Sequence, residues 1–367
     1  MKTVCERDMC TACGACIQIC PKNALRIEDS MFANNAIIDE EKCVECNTCY
    51  KVCQVCNPLE LKKPVYWKEG WSKDSEIRAY ASSGGAAGAI ERAFINEGGV
   101  VCSCVFDKGE FVFQIVDSEK EVRKFVGSKY VKSNPGEIYK KVRLLLRQGE
   151  KVLFVGLPCQ VAAVKKYVGK EELLFTIDLI CHGTPSPKVL DKFLKDNTCN
   201  LAQTKDISFR QKTRFGLEAD QKKFTAPNVR DHYMFAFLNS IVYTENCYSC
   251  RYTRIERISD LTLGDSWGST LEEEEKKKGV SLILCQTEKG KTLLDQSDLY
   301  LKDVDLQRAI ENNHQLSHAS AKPEQREKFL RLLKEGKKYS KAVLLCYPER
   351  YMKDMIKTLL YRMKNGK

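Results

Sequence analysis

Cys10-Thr-Ala-Cys13-Gly-Ala-Cys16-Ile-Gln-Ile-Cys20-Pro21 repeats, with the same cysteine spacing, as Cys43-Val-Glu-Cys46-Asn-Thr-Cys49-Tyr-Lys-Val-Cys53. Each run is C-x2-C-x2-C-x3-C, the spacing that lets three thiolates of one tight loop reach a single four-iron cube. The fourth cysteine lies one short helix further on and points away from its own loop. Paired Cys-x2-Cys motifs also build zinc ribbons, but two complete copies of the longer run point to iron–sulfur clusters.

In duplicated runs of this kind the fourth cysteine of each serves the other cluster. We therefore assign Cys10, Cys13, Cys16 and Cys53 to one 4Fe-4S cluster, and Cys43, Cys46, Cys49 and Cys20 to a second. Gln54 stands where a proline is expected after the last cysteine, a departure that removes no ligand. Cys5 and Cys56 are read as bystanders. Two such clusters make a one-electron relay, which implies that the rest of the chain uses the electrons.

The chain has 367 residues, of which 43% are hydrophobic, enough for two or three globular domains. Nineteen cysteines, ten of them before residue 57, suit metal or redox chemistry in a reducing cytosol better than a disulfide framework. No apolar run is long enough to span a membrane, and the first residues contain no apolar signal core. The expected location is the cytoplasm.

Net charge is +11, from 60 Lys and Arg against 49 Asp and Glu. Twelve basic and three acidic residues follow from Lys328 onward, so the excess is concentrated there. No basic face interleaved with stacking aromatics stands out elsewhere, which argues against nucleic acid as a partner. The segment from Lys328 mixes Phe329, Leu332, Leu333, Val343, Leu344 and Leu345 with lysines. We expect a helix packed on the body with a solvated basic face; the alternative is contact with an anionic membrane surface or an acidic partner. Glu272–Lys278 is read as a solvated face.

Beyond a linker at 61–75, marked by Pro64 and Gly70, strands and helices alternate. Val100–Phe106, Phe111–Val116, Val152–Val155 and Leu173–Ile180 read as strands. Helices are expected from the Ser82–Gly85 turn to about Asn96, over Gly136–Arg147, after Cys159 and from Pro187 to Leu194. This alternation predicts an α/β domain. Cys159 and Cys181 fall at strand-to-helix turns, where functional residues of such sheets collect, and Asn246-Cys-Tyr-Ser-Cys250 adds a Cys-x2-Cys pair. On spacing alone these four are either ligands of a third cluster or unrelated buried cysteines. Cys102, Cys104, Cys199, Cys285 and Cys346 are read as structural. No dinucleotide or P-loop fingerprint is present, and His314-x3-His318 has no acidic or thiol neighbour to complete a metal site.

Ala81-Ser-Ser-Gly-Gly85, Val126-Gly-Ser-Lys-Tyr130, Leu153-Phe-Val-Gly-Leu-Pro-Cys-Gln160, Ile177-Asp-Leu-Ile-Cys-His-Gly183 and Ser259-Asp-Leu-Thr-Leu-Gly-Asp-Ser-Trp-Gly268 occur in that order. Together they resemble the motifs of the family of coenzyme F(420) hydrogenase/dehydrogenase beta subunits, over about residues 75–335. The resemblance implies an α+β ferredoxin-like two-cluster module (1–60) followed by a larger α/β flavin and iron–sulfur domain. Its family N-terminal, flavin-binding part is 76–150, its third-cluster and substrate part 151–335, and a basic helical tail covers 336–367.

It further implies FAD and a third cluster on Cys159, Cys181, Cys247 and Cys250. Ser83, Gly84, Gly85, Lys129 and Tyr130 would line the flavin, and Asp265 would hold a flavin or substrate hydroxyl. Phe209-Arg-Gln-Lys212 is similar to a basic family motif, making Arg210 and Lys212 catalytic candidates beside His182, a candidate proton carrier. The implied function is an iron–sulfur flavoprotein oxidoreductase. Electrons would pass from a ferredoxin or another redox protein through the clusters to FAD and a small-molecule hydride acceptor, or in reverse. The rival readings are a non-catalytic electron-transfer subunit and a redox sensor with structural clusters.

Overall fold

The computed structural model describes residues 2–364. Strands are numbered in chain order. The hairpin β1 (Leu25–Asp29) and β2 (Asn34–Ile38) pairs antiparallel and is flanked by two five-residue helices, Ala15–Ile19 and Thr48–Val52. Each helix begins one residue before the third cysteine of its run, Cys16 in the first and Cys49 in the second. Each loop closes through a left-handed residue, Gly14 in the first and Asn47 in the second, because three thiols can converge only if the backbone reverses tightly.

The larger part is built on one eight-stranded sheet. Its members are β3 (Tyr66–Ser72), β4 (Val100–Asp107), β5 (Glu110–Val116), β6 (Val152–Gly156), β7 (Leu174–Leu179), β11 (Leu261–Asp265), β12 (Ser281–Cys285) and β13 (Leu299–Lys302). The order is β13-β3-β12-β11-β7-β6-β4-β5. The four central strands β4, β6, β7 and β11 are parallel, and both flanks are antiparallel. The buried run of β6 divides by the strand period of two. Leu153 and Val155 face the helices Ala86–Asn96 and Glu288–Asp295, while Val152 and Phe154 face Ile138–Arg147 and Pro158–Val168. Covering both faces is what a parallel centre requires.

A second core gathers β8 (Ile207–Gln211) and β9 (Arg214–Ala219), which form a small antiparallel sheet with β10 (Lys222–Lys223). Against it pack the helices Pro187–Asp196, His232–Leu238, Arg326–Lys334 and Tyr339–Cys346.

The expected linker at 61–75 is corrected by the structure: Tyr66–Ser72 is β3, hydrogen-bonded between β12 and β13. Its prolines and Gly70 resemble linker composition. Gly70 is there because a Cβ would meet Tyr300 O of β13 at 2.2 Å, and the polar Glu69 is buried where it accepts from Ser266 Oγ at 2.6 Å. The division at residue 150 also falls inside a single sheet, since β4 pairs with β6 across it. The cysteine-rich module is docked rather than tethered. Gln18 Oε1 accepts from Tyr139 N at 2.9 Å, and Tyr167 OH donates to Gln18 O at 3.3 Å.

Candidate functional site

The fold gathers the eight N-terminal cysteines into two pockets. Cys10, Cys13, Cys16 and Cys53 line one, with Val4, Ala36 and Val55 around them. Cys20, Cys43, Cys46 and Cys49 line the other, beside Pro21, Leu25 and Tyr50. In the first loop the Ala12 amide donates to Cys10 Sγ at 3.4 Å, and in the second the Thr48 hydroxyl donates to Cys46 Sγ at 3.3 Å. That bond holds the Cys46 thiol below its ordinary value.

Cys5, set aside on sequence, lines the first pocket. Its hydrogen bonds to Cys10 and Cys53 raise its own pKa and pull both of theirs down, Cys53 to about 6. Cys56 lies nearby, donating to Val4 O at 3.3 Å.

Cys159 and Cys181 follow β6 and β7, neighbouring parallel strands, so both emerge at the same edge of the sheet. The loop after Thr244 brings Cys247 and Cys250 to them. Burial pushes the thiols of Cys159, Cys181 and Cys250 up, Cys181 to about 12 and Cys250 to about 11, and like charges within the set add to this. Cys247 and Cys250 raise Cys181, and Cys250 and Cys181 raise Cys159. Buried thiols that oppose each other's ionisation are favoured as thiolates by added positive charge, which iron would supply. Their chemistry therefore fits a cluster. Among the described residues, no three His, Cys, Asp or Glu side chains close around a point as a single ion requires; a four-iron cube holds its thiolates farther apart.

The first pocket and this third set are neighbours, since Cys13 also raises Cys159. Thr11, between Cys10 and Cys13, is their meeting point. Its hydroxyl accepts from Gln54 Nε2 at 3.0 Å, and Gln54 Oε1 accepts from Tyr252 OH, two residues after Cys250. Gln54 thus uses the position where a proline was expected to join the two sites. Lys132 spans the same junction: its Nζ donates to Thr11 O at 3.2 Å and its amide to Pro185 O at 3.0 Å, beyond Cys181. It is only 7% exposed, and its charge favours the thiolates of Cys10, Cys159, Cys181 and Cys250.

Arg257 anchors the third set from behind. Its guanidinium bonds Asp178 Oδ1 at 2.9 Å, Leu179 O at 3.0 Å and Tyr252 O at 2.6 Å, so it ties the Cys250 loop to the strand leading to Cys181. Periodicity gave no sign of Lys132 or Arg257, because both act across the chain.

Asp265 ends β11 at the same sheet edge. It forms a bidentate pair with Arg210, at 2.6 and 2.7 Å, and Tyr130 OH lies 3.4 Å from the same guanidinium. Phe215 and Trp267 lie against the guanidinium. Lys212 reaches the Ser82–Gly85 turn, donating to Ser83 O at 3.1 Å and to Arg78 O. Burial, then Arg78 and Arg210, lower its pKa to about 8. Gly84 is confined by Gly70 O and Ser281, and Gly85 (φ 83°) opens the helix Ala86–Asn96 with no side-chain cap. Ser82 Oγ accepts from Ser128 N at 2.9 Å, which sets Lys129 and Tyr130 beside the turn.

Lys129 is half-buried and spends its ammonium on the carbonyls of Phe125, Val126 and Gly127. Glu91, missed on sequence, is buried so deeply that its carboxyl is pushed up to about 8. His182 accepts from Gln315 Nε2 at 2.8 Å on Nδ1, and Gln315 Nε2 also lies 2.8 Å from His314 Nε2. Burial holds the His182 imidazole down at about 4, so it is neutral near pH 7.

Two profiles of the coenzyme F420 hydrogenase/dehydrogenase beta subunit match the chain, one for its N-terminal part over residues 68–137 and one for its C terminus over 149–306. The chain belongs to this family. A 4Fe-4S binding domain profile matches residues 6–26.

Among curated relatives of this family member, the F subunit of the F(420)H(2) dehydrogenase of Methanosarcina mazei is 24% identical over 220 residues, 54% of this chain and 62% of that protein. The coenzyme F420-dependent sulfite reductase of Methanocaldococcus jannaschii is 24% identical over 324 residues, 82% of this chain and 47% of that protein. The chain thus spans between about half and three fifths of these relatives. A ferredoxin-like protein in the nif region of Sinorhizobium fredii is 33% identical over 54 residues, 15% of this chain and 78% of that protein. Among solved structures, a chain of the F420-reducing [NiFe] hydrogenase complex from Methanosarcina barkeri covers 69% of this chain and 91% of its own length, with 21% identity and a TM-score of 0.49. Among the described residues no helix is long and apolar enough to cross a membrane.

Proposed function

We propose that this chain is a cytoplasmic iron–sulfur flavoprotein oxidoreductase that carries electrons between a ferredoxin-type donor and an organic hydride acceptor. The observation that carries this reading is the junction at Thr11, where Lys132, Gln54 and Tyr252 hold the first cysteine pocket against Cys159, Cys181, Cys247 and Cys250. Bound four-iron clusters supply one-electron steps, and FAD supplies the exchange between one- and two-electron chemistry.

The residues divide the work by position. The Cys46 side of the module is exposed, which leaves it open to a donor protein. Thr11, Gln54 and Tyr252 fix the spacing of the two inner sites. At the sheet edge, the uncapped amides of the helix Ala86–Asn96 and the Lys212 ammonium suit a flavin phosphate. Arg210, its orientation fixed by the bidentate pair with Asp265, keeps a cation beside the ring site. Neutral His182, its Nδ1 taken up by Gln315, carries its hydrogen on Nε2 and can donate a hydrogen bond there. The M. mazei relative is named as one subunit of a dehydrogenase, and this favours the second reading, an electron-transfer protein whose acceptor site lies in a partner.

Lys132→Met should lower the reduction potentials of the two sites it touches, because a buried positive charge favours the reduced, more negative cluster. A tenfold change in a one-electron equilibrium is about 59 mV, and a shift of that order is expected in EPR-monitored redox titration. Lys132→Arg should keep most of the wild-type value.

Lys212 carries its charge below about pH 8 and loses it above. FAD affinity, followed by fluorescence titration, should therefore weaken as pH rises through 8. In Lys212→Arg that pH dependence should flatten.

A further inference from the structure

The helix Pro348–Lys364 packs on the body by one face only. Tyr351 lies against the core built on His232–Leu238, Arg350 stacks on Phe235 with 5.2 Å to the ring centroid, and Asp354 is buried while accepting from Arg350 Nε at 2.8 Å. The opposite face carries Met352, Met355, Ile356, Leu359, Leu360 and Met363, spaced i, i+3, i+4, i+7, i+8 and i+11, a continuous apolar stripe. All six are exposed, Ile356 by 50% and Met363 by 79%. Elsewhere among the described residues, exposed large hydrophobics are scattered apart from the short run Val65–Trp67. The sequence led us to expect a segment packed with a solvated basic face. Arg326–Lys334 and Tyr339–Cys346 do pack, but here the apolar side is the outward one.

Basic side chains border the stripe. Lys353, Lys357 and Lys364 fall along one margin and Arg362 along the other. Residues 348–364 hold five basic and two acidic side chains, a net of +3, and Asp354 is turned inward. We propose that this helix docks the protein, in plane, on an anionic lipid surface. The stripe enters the acyl boundary and the flanking lysines and arginine meet phosphate headgroups. A second copy of the chain is a poorer occupant, because pairing two such faces brings their basic margins together. A helix of 17 residues with this charge lies on a bilayer and does not cross it. The inference is independent of the cofactors and of the acceptor.

The test is vesicle flotation of the full chain with its iron bound. One set of vesicles is phosphatidylcholine alone and the other is equal parts phosphatidylcholine and phosphatidylglycerol. The protein should float with the phosphatidylglycerol vesicles, be released by high salt, and stay behind with phosphatidylcholine alone. Ile356→Glu/Leu360→Glu should lower the bound fraction at least about tenfold, since two apolar side chains no longer enter the lipid. Lys353→Glu/Lys357→Glu, which alters only the margin, should lower it too, so the result does not hang on one variant. Iron content equal to wild type shows that each variant is folded. A chain that stays behind with both vesicle types overturns the proposal. So does a dimer in solution that Ile356→Glu/Leu360→Glu dissociates, because the stripe then belongs to a second copy.

Discussion

Replacing Arg257 by leucine is expected to lower stability by about 3–5 kcal/mol, the usual result of removing one partner from a buried ion pair. The side chains of Arg257 and Asp178 are 1% and 0% exposed, so water cannot take the place of the lost guanidinium. Asp178 Oδ2 already has no hydrogen-bond partner, and the substitution would strand Oδ1 as well. Tyr252 O and Leu179 O lose their donor at the same time. Because these carbonyls fasten the Cys250 loop to the strand before Cys181, the third cysteine set should loosen along with the fold. Denaturant unfolding would show a lower midpoint, and iron content would fall. Arg257→Leu/Asp178→Leu should recover part of the stability, since apolar replacement of both partners is often neutral. If the single substitution leaves the midpoint unchanged, the pair does not anchor the site.

The second large effect is expected at the third cysteine set itself. Cys159→Ser or Cys181→Ser should reduce iron from about 12 to about 8 per chain, one four-iron cluster. The signals of the N-terminal clusters should remain. Changes next to a metal ligand already cost about 10- to 100-fold in affinity, so loss of a ligand should be at least as severe. Flavin reduction by a one-electron donor should then slow at least about 100-fold, because the inner stepping point is gone. Cys285→Ser is the control: Cys285 is buried in the core between β12 and the Glu288–Asp295 helix, away from the set, and iron should not change. Full iron in Cys159→Ser would mean that these thiols do not hold a cluster.

What the sequence made legible was mostly local. The two cysteine runs could be partitioned because x2-x2-x3 spacing constrains a loop and a short helix, and the fold gathers the thiols in those same two groups. The strands β4 to β7 and their helices were visible because apolar residues repeat with the period of the element. Strand β3 was missed because Lys68, Glu69 and Gly70 interrupt that period. Glu69 and Gly70 have tertiary reasons: Glu69 meets Ser266, and Gly70 leaves room for β13.

The same limit explains the site. Cys159 and Cys181 stood out at strand ends, but spacing alone could not bring Cys247 and Cys250 to them from far along the chain. Lys132 and Arg257 look like ordinary surface cations in the sequence, and only burial shows their roles. Cys5 looked surplus because it lies outside the run, although it sits between two thiols of the first pocket. For the helix Pro348–Lys364 the helical, basic character was legible and the outward apolar stripe was not, since either face of such a helix can meet the body.

The most direct test of the relay-plus-flavin account is the iron and flavin content, with an absorption spectrum, of the full chain purified without oxygen. The account predicts about 12 iron and one FAD per chain, from three four-iron clusters and one flavin. About 8 iron and no flavin would contradict it, and would leave a two-cluster module joined to an α/β body with no electron acceptor of its own.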